Sequence, residues 1–282
     1  MASFTSRQWI AVAGGVIVFA SLFYINRKAP AGKDGTPMAT GHASQAESFD
    51  SLLAQAENEV PASFKSLISK VSSGLSTASQ PDKEKILNQL VGIYDSAGAH
   101  IPATFFTEKL ATLQNTPGIW FEAGDRYYKS ADVLTNATRI TVLERAKACF
   151  NNALKLDTGY TDARVGLAEC MVQGQNPMQG IMMLEAIIKK DSNDEKAQIA
   201  LGEFSIQSGQ YPKAIMRFKK VLKIDPSYSD AYLYLAQACE NSGDKKSAIS
   251  YLEKYSTFAK DSVLKNQVNS YIAKLKSDSS GK

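Results

Sequence analysis

From residue 46 onward the apolar positions of this chain recur three and four residues apart. Leu52, Leu53 and Ala56 open the series, and Phe64, Leu67, Ile68, Val71 and Leu75 continue it after Pro61. Ile86, Leu90, Ile93 and Tyr94 follow Pro81; Phe105, Phe106, Leu110 and Leu113 follow Pro102. Such spacing puts each set on one face of an α-helix, and a proline in the first turn fits because its missing N–H is not needed there. No stretch between 46 and 276 alternates with period two, so the pattern predicts an all-α chain without strands.

Farther along, the pattern repeats itself. LKLDTGYTDARVGLA (154–168) and LKIDPSYSDAYLYLA (222–236) agree at eight of fifteen positions, 68 residues apart. Halfway between them, IKKDSNDEKAQIALG (188–202) keeps Asp191 in step with Asp157 and Asp225, Ala197 with Ala163 and Ala231, and Leu201 with Leu167 and Leu235. A period of 34 residues predicts stacked copies of one helix hairpin, each burying the apolar face that its neighbour cannot bury alone.

At WFEAGDRYYKS the pattern becomes specific: Trp120, Gly124 and Tyr127, then Ala146, Phe150 and Ala153. This resembles the tetratricopeptide repeat, with Ala123 in place of the usual Leu and about ten extra residues expected around 130–139. Three further repeats are expected at 161–194, 195–228 and 229–262. Their small crossing residues are Ala168, Gly202 and Ala236 in the first helices, and Gly180, Ala214 and Ala248 in the second; Leu184, Phe218 and Leu252 are the bulky packers. Residues 84–116 resemble a degenerate earlier repeat, through Leu90, Tyr94, Gly98 and Ala103. The fold class implied is an all-α solenoid of antiparallel helix hairpins, with four repeats over 117–262, a helical region over 46–116, and a capping helix and tail over 263–282.

The resemblance implies a binding module with a groove lined by the first helix of each repeat. The partner-groove residues expected on that basis are Phe121, Glu122, Asp125, Tyr128, Val165, Glu169, Ile199, Glu203, Leu233, Tyr234 and Gln237. Asp125, Glu169 and Glu203 form a ladder, one acid per repeat, suited to a basic amphipathic segment; a solvated helix face is the blander reading of the same residues. The positions at which chaperone-tail receptors of this family use Lys, Asn and Arg hold mostly Val165, Gly166, Glu169, Leu233 and Tyr234, which argues against that ligand.

The amino terminus follows other rules. WIAVAGGVIVFASLFYI (9–25) runs seventeen residues without a charge, with Trp9 and Tyr24 near its ends. It is expected to be an uncleaved single-pass membrane anchor after a short tail at 1–8. Arg27, Lys28 and Lys33 favour a cytoplasmic carboxy-terminal domain, whereas the short amino-terminal tail looks like an ordinary signal anchor that exports it. Residues 26–45 are rich in Ala, Gly, Pro, Thr and Ser and read as a flexible tether.

Composition removes other functions. The 32 basic and 28 acidic residues leave a net charge of +4, with no arginine-rich run, so no nucleic-acid partner is expected. Cys149, Cys170 and Cys239 form no CxxC pair, and His42 and His100 stand apart, so neither metal nor cofactor is expected. No G-x-S-x-G, H-E-x-x-H or GK[ST] motif is present, and no enzyme is expected. Three functions compete: a membrane-anchored adaptor that binds protein or peptide partners in bacterial envelope protein biogenesis or complex assembly, a self-associating structural component forming homo-oligomers through 46–113, and an organellar import receptor.

Overall fold

The computed structural model describes residues 48–280, and these contain thirteen α-helices, one short 3₁₀ turn and no strand. In chain order the helices are α1 (Phe49–Glu59), α2 (Ala62–Ser72), α3 (Gln80–Ser96), α4 (His100–Gln114), α5 (Pro117–Ser130), α6 (Asn136–Leu156), α7 (Thr161–Gln173), α8 (Pro177–Lys190), α9 (Glu195–Gln207), α10 (Tyr211–Ile224), α11 (Asp230–Asn241), α12 (Lys245–Phe258) and α13 (Ser262–Ser280). From α3 on, each helix packs against the next, and α5, α7 and α9 also touch in succession, which makes a solenoid. Among the described residues no helix is long and apolar enough to cross a membrane; the expected anchor at 9–25 and tether at 26–45 lie outside them.

The recurring aspartates have a local task. Asp157, Asp191 and Asp225 each follow a second helix, in extended backbone. Each turns its own chain: Oδ1 accepts from the N–H of Gly159, Asn193 and Ser227, at 2.8, 2.9 and 2.8 Å. This side-chain turn competes with further helix and redirects the backbone into the next hairpin. Within hairpins the reversal after α9 and α11 uses Gly209 (φ 71°) and Gly243 (φ 87°), a left-handed conformation that glycine adopts without steric cost. Asp194 and Asp244 then cap α9 and α12, accepting from the N–H of Ala197 at 2.9 Å and Ser247 at 3.0 Å.

Close crossing of helices explains the small residues. A Cβ on Gly202 would lie 2.7 Å from the Phe218 ring, and one on Gly180 would lie 2.4 Å from the Ala168 carbonyl. Phe150 occupies the space left by two glycines at once, Gly124 and Gly166. Ala168, Ala214, Ala236 and Ala248 are buried with Leu184, Phe218 and Leu252.

Two features add detail to the sequence expectation. The extra residues after Gly124 are taken up by a 3₁₀ turn (Ala131–Val133) and by α6, which at 21 residues is the longest helix among those described. The region before the repeats is not separate from them: α1 tucks its Phe49 and Leu52 into the core of the α5–α6 hairpin. The Phe49 ring meets Tyr127 edge-on at 5.6 Å, and the Arg145 guanidinium lies 3.7 Å from its centroid. By contrast, the apolar stripe expected on α2 is thinly covered. None of its residues is fully buried, and Leu67 is 44% exposed, because α3 is the helix that packs against it.

Candidate functional site

The first helices α5, α7, α9 and α11 carry all eleven residues expected to line a groove. The structure brings Asp125, Glu169 and Glu203 into one shared field. Glu169 has its pKa raised to about 8, mainly by desolvation and then by the charges of Glu203 and Asp125. Glu203 is also raised, by desolvation first and by Asp132 and Asp230 among its neighbours. Burial outweighs the hydrogen bond that favours its ionised form, which Tyr234 Oη donates to Glu203 Oε1 at 2.6 Å. Glu169 differs from its neighbours: among the described residues it makes no hydrogen bond and no ion pair.

Aromatic groups frame these acids. Tyr234 stacks on Phe218 with ring centroids 4.6 Å apart, so the residue that anchors the hairpin also positions the tyrosine that holds Glu203. Tyr128 accepts from Gln173 Nε2 at 2.6 Å, and burial raises its phenol well above the ordinary range. Phe121 lies between Phe150 and Tyr160, at 5.8 and 5.3 Å, with the Lys196 ammonium 5.8 Å from its ring. Lys196 also pairs with Asp162 at 2.6 Å, and Lys129 pairs with Asp125 at 2.6 Å across one turn of α5. Lys196 also favours the ionised form of Glu169 through its charge, but it is outweighed by burial and by the neighbouring acids and makes no ion pair with it.

Other expected groove residues fall elsewhere. Val165 is a correction: it is 3% exposed and packs in the core with Ala168 and Leu184, so it offers no surface to a partner. Ile199 and Leu233 are half-buried against the apolar clusters under the following hairpins. Glu122 is exposed and shares Arg126 with Asp95. Gln237 is half-buried. The sequence reading missed Asp132, Arg139 and Gln173, which meet near the α5–α6 turn. Arg139 donates to Gln173 Oε1 and lies 3.9 Å from Asp132. Asp132 raises the pKa of both Glu169 and Glu203. No periodic signal marks it, because it belongs to the non-repeating turn.

The three cysteines are buried; burial pushes the Cys149 thiol up to about 12, and Cys170 and Cys239 upward as well, so none is poised as a thiolate.

Comparison with known proteins fits this architecture. A family model described as tetratricopeptide repeat matches residues 143–204 and 205–266, so this part of the chain consists of tetratricopeptide repeats. A solved tetratricopeptide repeat protein from Parabacteroides merdae is 15% identical, with 79% of this chain and 85% of that one aligned at a TM-score of 0.55. The MamA protein is 20% identical over 62% of this chain and 91% of its own, at a TM-score of 0.43. YrrB, described as a repeat protein with an unusual peptide-binding site, is 18% identical over 71% and 97%, at 0.42. Curated protein sequences give no match.

Proposed function

We propose that this chain is a protein-interaction scaffold that takes a basic partner segment into the groove formed by its first helices. The observation that carries the reading is Glu169, an acid desolvated among like charges that makes no hydrogen bond and no ion pair, with Lys196 alone opposing the upward shift of its pKa. A lysine or arginine presented there stabilises the ionised form, and the stacked Tyr234 and half-buried Tyr128 offer apolar surface beside it. The partner is accordingly a segment with one basic and one apolar face. Residues 9–25 hold the scaffold to a bilayer and 26–45 give it reach, which suits envelope protein biogenesis or complex assembly in bacteria. Membership of the tetratricopeptide repeat fold supports protein binding in general and leaves the partner to this site.

The test is a crosslinked pull-down from native membranes with wild type and with Asp125→Lys and Glu169→Lys combined, after circular dichroism shows the helices intact. A defined set of partners is expected to disappear from the charge-reversed bait. An unchanged set would sink the groove reading.

A further inference from the structure

Charge is sorted between the two helices of each hairpin. The first helices α7, α9 and α11 together hold six acidic and two basic residues. The second helices α8, α10 and α12 hold two acidic and ten basic residues. The sorting peaks in α10, whose fourteen residues include Lys213, Arg217, Lys219, Lys220 and Lys223 and no acid.

Four of those cations border one cleft with Gln198 and Met216. The hydrogen bonds that two of them make go to neutral groups. Arg217 donates to the neutral Gln198 Oε1 at 3.1 Å, and Lys220 to the neutral Asn193 Oδ1 at 2.6 Å. None of the four is in an ion pair among the described residues. Burial lowers the Arg217 pKa, against a smaller opposing effect of Glu185, which fits a cation held without an anion in contact. One exposed methionine, Met216, borders the cleft, and two more, Met178 and Met182, lie on α8. Met182 and Met216 occupy the same place in successive repeats, 65% and 58% exposed, and Met178 is 68% exposed.

From this arrangement we infer that the α8–α10 face docks on an anionic lipid surface. Cations with neutral partners can exchange water for phosphate headgroups without first breaking ion pairs. Flexible unbranched methionines beside them can enter the headgroup boundary. A bilayer is favoured over an acidic protein because, on the proposed reading of residues 9–25 as an anchor, the membrane is the polyanion already at hand. The groove and the docking face then lie on different helices, so a docked chain keeps its first helices for a partner.

Lysine footprinting tests this on the full chain reconstituted in vesicles, either pure phosphatidylcholine or phosphatidylcholine with about a third phosphatidylglycerol. Each basic residue near an anionic surface strengthens attachment roughly fivefold at moderate salt. Acylation of Lys219, Lys220 and Lys223 is therefore expected to slow at least fivefold on the anionic vesicles, to recover in high salt, and to leave Lys65 unchanged. A combined Lys219→Gln, Lys220→Gln and Lys223→Gln variant, with its helicity verified, is expected to lose the protection that Met216 gains from oxidation on anionic vesicles. Equal labelling on both lipids overturns the inference. So does protection that follows protein concentration rather than lipid charge, which would assign the face to an acidic protein or a second copy. Neither result bears on the groove, since the pull-down reads other residues; a chain that fails to insert in either vesicle would count against the anchor and, by equal labelling, against docking as well.

Discussion

Single residues in this chain are constrained by how closely backbones approach, and the glycines separate into two kinds. Gly180 faces the Ala168 carbonyl so closely that an added Cβ would lie 2.4 Å from it, and a backbone atom in a packed hairpin cannot rotate aside. Gly92, inside α3, has nothing within 4 Å of the same position. Gly180→Ala is expected to cost about 1–3 kcal/mol, as overpacking does. Gly92→Ala is expected to stabilise by about 0.5–1 kcal/mol, by removing backbone freedom from the unfolded chain. Chemical denaturation of the two variants checks both signs. Glu169 carries a different signature at this scale. Its folded pKa of about 8 lies above the ordinary 4.5, so the folded chain keeps a proton that the unfolded chain releases between those values. Stability attributable to this group is complete below about pH 4.5 and is lost as pH rises through 8. Glu169→Gln is therefore expected to match wild type near pH 4 and to exceed it above pH 8, by about 1–3 kcal/mol. Urea midpoints across that range measure it, and parallel pH profiles for the two proteins would remove the claimed burial of charge.

Among the helices, turn chemistry was the most legible part of the sequence. The aspartates at 157, 191 and 225 announced the period, and each makes the same side-chain turn. Asp194 has the capping task at the start of α9. Asp194→Ala is expected to cost about 0.5–2 kcal/mol and to fray the first turn of α9, seen as faster amide exchange at Ala197. What the period could not reveal is which flank of each first helix the next hairpin covers. Periodicity places a residue on a helix to within one turn, whereas the covered arc depends on how successive hairpins rotate against one another. Val165 therefore went to the core, and Ile199 and Leu233 to the flanks. Asp125, Glu169 and Glu203 are all partly buried, and Glu169 feels the charges of the other two. Asp132 and Arg139 were illegible for another reason: they lie where the repeat is interrupted, and a long α6 carries Arg139 to Gln173 on α7.

As a whole, the repeat array is stabilised by neighbours alone, so damage at one end should stay there. The last interface is a distinct apolar cluster in which Val268, Ile272 and Leu275 of α13 cover Ala236 and Leu252 of the final hairpin. Ser256 adds a hydrogen bond to Asn269 at 3.1 Å, and Tyr271 donates to both Glu240 oxygens, at 2.8 and 2.9 Å. Val268→Asp puts an unpaired carboxylate at a site that is 0% exposed in the native chain, which displaces α13 rather than the fold as a whole. In a stack with nearest-neighbour coupling, the loss should decay over successive hairpins. Amide exchange is expected to accelerate strongly in α12 and α13, less in α11, and not measurably in α5 and α6, whose core is anchored from the other side by Phe49 of α1. Uniform acceleration from α5 to α13 would mean that the array unfolds as one unit, and that the interrupted first repeat couples to the last more tightly than its contacts imply.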